Sequence, residues 1–359
     1  MKLNLSRFAG WLMLAACGPA ALARPRPIVV KVVVVTMFEQ GKDTGDAPGE
    51  LQYWVERDHL DRVYPLAAAY HPVRMNAEGE MAVLTGQGTA NAAATMTALG
   101  LDPRFDLRHA YWLIAGIAGA TPERASLGSA VWARWVVDGD LGYELDAREM
   151  PQDWTTGYIP LRKTRPFEEP AAPLDGQVYA LNASLAEWAF GLTRGIDLAD
   201  AEKLRAARSH FDGAMAGRPP FVTMGDEISS STYWHGRAMD AWATRWVSYF
   251  TGGKGTFVTT AMEDTGTLLA LENLSRAGRV DWKRVMVLRT VSNFDQQPRG
   301  MSAAESLAQQ RVGTYSAYLP SLEAAYTVGH TVVKELLDGW SHFEKATFTG
   351  AASSNSKTE

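Results

Sequence analysis

Two short stretches of this chain carry residue types suited to ligand chemistry. Ala261-Met262-Glu263-Asp264-Thr265-Gly266-Thr267 sets a carboxylate at the start of one helix. After a helix-length gap, Val285 to Asp295 brings Ser292, Asn293 and Asp295 to the point where a buried strand runs out. Ligands of open α/β sheets bind in the crevice beyond the carboxyl ends of the strands. A Glu facing such a crevice accepts hydrogen bonds well from a pair of sugar hydroxyls, which points to a nucleoside. Each group also has a plainer reading. A carboxylate in the first turn of a helix gains about 0.3 to 1 kcal/mol from the dipole without any ligand, and Asn293 and Asp295 fit ordinary turn chemistry after a strand.

The turn Gly86-Gln87-Gly88-Thr89-Ala90-Asn91 adds a second group, because glycines before a helix can present backbone N–H groups to a ligand. It lacks the third glycine of a dinucleotide fingerprint, and tight strand–helix packing explains it equally well. Tyr233 and Trp234 follow a polar turn and suit stacking on a flat ring, or else core packing. His59 and His235 have no partner at metal-ligand spacing, and Asp138, Asp140, Glu144 and Asp146 do not follow a calcium loop. Neither a metal nor a resident cofactor is expected.

The elements that must position these groups alternate between strand and helix. Strands are expected at Val29 to Val35, Met81 to Thr85, Tyr111 to Ala115, Ser129 to Val137, Pro220 to Thr223, Phe257 to Thr260 and Arg284 to Val291. Helices are expected at Leu51 to Tyr70, Ala92 to Leu99, Asn182 to Phe190, Leu198 to Met215, Arg237 to Tyr249, Asp264 to Ala277 and Ser302 to Leu337, the last broken at Pro320. Such alternation argues for an α/β protein with a mainly parallel central sheet and helices on both faces. From Leu141 to Gln177 prolines and aromatics replace any period, which reads as an irregular insertion, a lid or a subunit contact.

With 359 residues, 46% of them hydrophobic, the chain can bury a large core, and no linker divides it. Its net charge of −5, or −7 once Lys2 and Arg7 are removed, gives no surface for phosphate backbones, so nucleic acid is not an expected partner. Residues 1–23 read as a signal peptide, with Phe8 to Cys17 apolar and Ala21-Leu22-Ala23 at the cleavage site. A periplasmic or secreted protein follows. The second reading takes Leu14-Ala15-Ala16-Cys17 as a lipobox that would anchor the chain at Cys17, its single cysteine. No other run approaches the roughly 20 apolar residues of a membrane-spanning helix. Residues 346–359 are small and polar and read as a disordered tail.

The glycine turn extended to Ala93, the strand end Ala115-Gly116-Ile117-Ala118-Gly119, Met262-Glu263 and Arg289-Thr290-Val291-Ser292-Asn293 occur in the order and spacing of the nucleoside phosphorylase and nucleosidase superfamily, which the chain resembles. More closely, Val32 to Glu39, Val137 to Glu149 and Ser231-Thr232-Tyr233-Trp234-His235-Gly236 resemble the purine nucleoside permease family. The resemblance covers nearly the whole mature chain. It implies a nucleoside-phosphorylase-like, three-layer αβα fold with a mixed, mainly parallel sheet, in one domain over residues 24–345, assembled as a homo-oligomer. The family name implies nucleoside transport. A chain without a spanning helix cannot satisfy its backbone in lipid as a helical carrier does, so the expectation is an exported protein that recognises purine nucleosides.

Cleaving an N-glycosidic bond requires donors at the base, a carboxylate on the ribose hydroxyls and a nucleophile beneath C1'. By resemblance, Glu263 accepts from the 2'- and 3'-hydroxyls and Met262 packs on the sugar, while Gly86, Gly88, Asn91, Tyr233, Trp234 and Ser292 complete the nucleoside contacts. Asn293 falls where many nucleosidases carry an Asp that protonates purine N7. Asn can only donate a hydrogen bond, as in some phosphorylases of 6-oxopurines, and Asp295 offers itself as the acid. Nucleosidases place a Glu near the end of the first strand to orient water, and Glu39 sits there. Phosphorylases place Gly and Arg in that loop. Here Glu39-Gln40-Gly41-Lys42-Asp43-Thr44-Gly45-Asp46 repels a dianion, unless its acids simply form a solvated turn. The expectation is hydrolysis, ahead of phosphorolysis with phosphate as co-substrate and of non-catalytic binding that serves uptake.

Overall fold

The computed structural model describes residues 26–311 and 315–348. The expected leader, Cys17 and the tail beyond residue 348 lie outside the described residues. Val32–Thr36, β-branched and wholly buried, is the spine of an open half-sheet. It pairs parallel with Glu80–Leu84 on one side and with Tyr111–Ala120 on the other. Val73–Met75 and Arg62–Tyr64 extend the outer edge antiparallel.

The other half of the sheet curls into a ring. Val285–Phe294 runs parallel to Tyr111–Ala120 and takes Ala130–Ala133 antiparallel on its far side. Trp135–Asp138, which continues that strand past Arg134, pairs with Asp226–Ser229, and Asp226–Ser229 pairs with Phe257–Ala261. Thr259 and Thr260 return to Ala120 and Gly119. The result is a small closed barrel fused to an open sheet, so the barrel strands have no free edge.

Alternate residues of the central strands face opposite layers. Val33, Val35, Val83, Ile114 and Val287 pack beneath the helices Thr89–Leu101 and Asp264–Arg276. Those helices approach so closely that a Cβ on Gly266 would lie 2.0 Å from the Thr89 carbonyl. Val32, Val34, Leu84, Leu113 and Leu288 face Trp54 of the short helix Gln52–Arg57, Leu185 of Ala183–Thr193 and Val328, Val332 and Leu336 of Tyr318–Asp338. The architecture is the expected three layers, with a mixed sheet whose long central pairings are parallel.

Several expected boundaries move. The helix drawn from Leu51 to Tyr70 ends at Arg57 and gives way to the edge strands. Leu198 to Met215 keeps only Glu202–Arg208 helical. Tyr111–Ala120 continues through the glycines read as its end, and Val285–Phe294 runs on through Asn293. Pro220 to Thr223 becomes two strands, Val222–Met224 and Asp226–Ser229. The long C-terminal helix divides into Ala303–Gln309 and Tyr318–Asp338 with Pro320 inside the first turn, where a missing N–H costs nothing. Within 141–177, Gly142–Glu144 pairs with Tyr158–Pro160 and Phe167 packs on Trp246. The tail boundary at Ala346 falls early, because the Phe348 ring packs on Trp188, Phe343 and Tyr111.

Asp226 pins the junction at Arg134 where Ala130–Ala133 passes into Trp135–Asp138. Its buried carboxylate accepts the backbone N–H groups of Arg134 at 3.1 Å, Trp135 at 2.9 Å and Thr256 at 2.6 Å. Asp226→Ala leaves those donors unpaired and is expected to lower stability by about 3 kcal/mol or more in urea unfolding, with Asp226→Asn intermediate. An unchanged midpoint for the Ala variant would remove Asp226 as the pin.

Candidate active site

The strand ends converge on one cavity. Met37 and Phe38 follow Val32–Thr36, Ile117 to Gly119 come from the bend of Tyr111–Ala120, Met262 and Glu263 follow Phe257–Ala261, and Ser292 and Asn293 close Val285–Phe294. Thr232, Tyr233, Trp234 and Tyr315 complete the wall, around about 680 Å3 of empty space with its mouth included. A register shift between Val291 and Asn293 opposes Asn293 to Gly119, the way a bulge re-aims a side chain at a site.

Beneath the cavity lies Arg289, 1% exposed, facing the carboxylates of Asp264, Glu227, Glu263 and Glu50. Its guanidinium bonds Asp264 directly, lies 3.6 Å from both Glu227 and Glu263, and donates to the Ile117 carbonyl at 3.2 Å. One cation cannot balance four buried anions, so protons stay. Burial holds the Glu50 carboxyl up at about 8, with the charge of Glu263 adding to it and Arg289 opposing. Burial also lifts Glu263 to about 7, opposed by Arg289 and reinforced by Asp264. Glu227 is pushed well above the carboxylate range by burial and by Asp264.

Glu263 lines the cavity and accepts weakly from the backbone N–H groups of Gly88 at 3.4 Å and Met262 at 3.2 Å, leaving capacity for a ligand. Met262, Ser292, Tyr233 and Trp234 line it too. Ser292 Oγ donates to the Asn293 side-chain oxygen at 2.8 Å, and Asn293 Nδ2 donates to the Tyr233 hydroxyl at 3.2 Å. Asp295, also on the wall, finds no donor for either oxygen. Its neighbour is the Asp240 carboxyl, and burial together with that like charge pushes Asp295 well up. Asp240 also bonds Thr121, which favours its charged form, so the proton between the two carboxyls is held preferentially on Asp295.

Other expected residues fall outside the cavity wall. Glu39 is a structural clamp rather than a wall residue. Its carboxylate accepts N–H groups from Gln40 at 2.8 Å, Leu51 at 3.0 Å and Gln52 at 2.7 Å, and from Gly49, so it caps the Gln52–Arg57 helix and ties down the first loop. The carboxylate at the end of the first strand is instead Glu50, which accepts from Met37 N at 2.8 Å and Ile117 N at 2.7 Å. A Cβ on Gly116 would lie 2.5 Å from both Glu50 Oε1 and Arg289 Nη1, which is why the strand carries glycine there. Gly86 and Gly88 adopt φ of +81° and +86° and shape the turn, whose contribution to the wall is Gln87. Asn91 is exposed and donates to the Gln87 carbonyl at 2.8 Å, bracing that turn from outside. Sequence reasoning missed Glu50, Arg289, Asp240 and Tyr315. Only Arg289 lay within a stretch that had drawn notice.

A sequence profile of the purine nucleoside permease family matches residues 29–347. The chain is 32% identical over 294 residues to a probable purine nucleoside permease of Schizosaccharomyces pombe, covering 79% of this chain and 82% of that one. It is 31% identical over 268 residues to a purine nucleoside permease of Candida albicans, covering 74% of this chain and 65% of that protein, a little under two thirds of its length. Among solved structures, a 5'-methylthioadenosine/S-adenosylhomocysteine nucleosidase from Helicobacter pylori superposes with a TM-score of 0.51 at 15% identity, over 85% of this chain and 99% of that one. The futalosine hydrolase of the same organism gives a TM-score of 0.51 at 16% identity, over 86% and 98%. These likenesses establish the nucleosidase-like fold. Among the described residues no helix is long and apolar enough to cross a membrane.

The retained protons set the pH dependence of stability. Unfolding returns Glu50 and Glu263 to ordinary carboxylate values, so the folded chain binds more protons than the unfolded chain above about pH 4.5. Their contribution is complete below that value and is lost as pH rises through about 7 and then about 8. The melting temperature is expected to fall steadily from about pH 6 to pH 9, and Glu50→Gln should flatten the upper part of that fall. A wild-type melting temperature that rises over this range in a fluorimetric pH series would contradict the assignment.

Proposed function

The chain belongs to the purine nucleoside permease family, and on that footing we propose that its cavity binds a purine nucleoside and cleaves the N-glycosidic bond with water. The observation that carries this reading is the pair of buried carboxyls, Glu50 and Glu263, on one wall. Ionised Glu263 accepts the 2'- and 3'-hydroxyls of the sugar and Met262 packs on its face. Glu50, whose carboxyl sits at about 8, acts through its ionised fraction and takes a proton from water as the water oxygen bonds to C1'. The C1'–N9 bond breaks with its electrons leaving on the purine, which is protonated by the neutral acid Asp295 while Asn293 donates a hydrogen bond. Solvent then reprotonates Asp295 and takes the proton from Glu50. Export through the N-terminal leader and assembly as a homo-oligomer belong to the same proposal.

Phosphate is poorly served as the nucleophile. The described cavity wall carries Glu50, Glu263 and Asp295 and neither Lys nor Arg, and Arg289 beneath it is committed to carboxylates. Such a wall offers a dianion no countercharge. A second reading, a nucleoside binder that serves uptake without cleavage, is favoured by one feature: Asn293, which has no proton to give, is already bonded to Tyr233.

Chromatography of adenosine, inosine and guanosine incubated with the purified protein, with and without phosphate, is expected to show free base and ribose in phosphate-free buffer. Glu50→Gln should lower kcat by about 100-fold or more with binding retained, while Glu39→Gln should leave kcat within about three-fold, because its role is to cap a helix. No release alongside measurable nucleoside binding would establish the binder. Release only with phosphate would establish phosphorolysis.

A further inference from the structure

Beyond Thr232 and Trp234 the molecule holds a second cavity, about 860 Å3 of empty space with its mouth included. Both residues line both cavities, so the two adjoin there. None of the residues assigned to the sugar end, Glu50, Met262 or Glu263, reaches the second one. A nucleoside with its ribose on Glu263 and its base against Tyr233 and Trp234 therefore turns the edge of the base, not the sugar, towards it.

The walls define what this space would hold. Helix Arg237–Phe250 supplies Met239, Trp242 and Trp246, and the Tyr158 ring packs tilted against Trp242 with centroids 4.8 Å apart. Trp246 is fixed by donation of its indole N–H to the Asp138 carbonyl at 2.8 Å. The charged side chains of the lining are both acids. Asp140 is committed to the Ser231 backbone N–H at 2.6 Å, whereas Glu144 is exposed and accepts only from the Tyr158 hydroxyl, which leaves it capacity for a cation. Apolar rings along the walls and a carboxylate at the opening complement a stem of methylenes that ends in a cation.

We propose that this cavity extends the base end of the site and selects purine nucleosides whose base carries a substituent with an apolar stem and an amine at its tip. The inference rests on the nucleoside reading above. It names the substrate class of that same site.

Binding of adenosine, N6-hexyladenosine and N6-(6-aminohexyl)adenosine by calorimetry, in the Glu50→Gln background where turnover is removed, tests it. Both extended ligands are expected to bind about ten-fold tighter than adenosine, the aminohexyl compound the tightest. Met239→Trp, which fills the second cavity from its helix wall, should abolish that advantage and leave adenosine within about two-fold, on the scale of a few lost apolar contacts. Glu144→Gln, an exposed change that leaves the fold intact, should erase only the gain of the amine over the plain hexyl arm. If both arms bind about ten-fold or more weakly than adenosine, or if Met239→Trp weakens all three ligands equally, the extension is wrong while the nucleoside site stands. If adenosine itself does not bind, the nucleoside reading falls and takes the extension with it.

Discussion

One guanidinium set against four carboxyls organises this molecule. Arg289 is wholly buried at the centre of the Val285–Phe294 strand, and the four acids around it come from three separate parts of the chain: Glu50 from the first loop, Glu227 from a barrel strand, Glu263 and Asp264 from the start of a helix. Isolated charges of this kind are far too costly to bury. Together they can stay only as a neutralised cluster in which one cation and several retained protons balance the acids. That balance ties loop, strand and helix to one point. It also fixes the two carboxyls at the cavity wall, since Glu50 and Glu263 cannot move without leaving Arg289 or their backbone donors.

The closed half of the sheet makes such a cluster possible. In an open sheet the far half of Tyr111–Ala120 would end as a loop. Here one edge changes partner, from Val32–Thr36 up to Ile114 to Phe257–Ala261 from Gly119, and between them the Ile117 N–H goes to Glu50 and its carbonyl to Arg289. The same closure brings Asp226–Ser229 beside Phe257–Ala261, which sets Glu227 under the guanidinium and Glu263 at the rim. Stability and site geometry thus depend on one set of strand pairings, and the Asp226 pin serves both.

Much of this was legible in the sequence wherever the signal is local. Buried β-branched runs located the central strands, and Met262-Glu263 and Ser292-Asn293 were read as wall residues because strand ends in α/β folds form the crevice. The failures share a cause. Glycine inside Tyr111–Ala120 looks like a turn, and only pairing on both sides reveals a strand that needs Gly116 to clear Glu50 and Arg289. Glu39 occupies the expected place at a strand end, yet the loop after it doubles back, so Glu39 is consumed as the clamp that returns Glu50 to that same place. Nothing periodic marks that return. Asp240 was invisible for a similar reason: its meaning lies in Asp295, reached only across the tertiary fold.

On the proposed nucleoside reading, the cluster also couples ligand binding to protons. Accepting two hydroxyl hydrogens requires Glu263 to be ionised, and in the empty cavity burial holds its carboxyl at about 7, where a proton is nearly as favourable as none. Sugar hydroxyls arriving there stabilise the charged form, so binding releases a proton. The new charge on Glu263 raises the energy of an ionised Glu50, which shares the same cation. A more strained carboxylate is a stronger base. On that reading, seating the sugar would tighten the Glu50 carboxyl's hold on its proton through the charge of Glu263, with no moving part, so the two acids of the wall answer a ligand together.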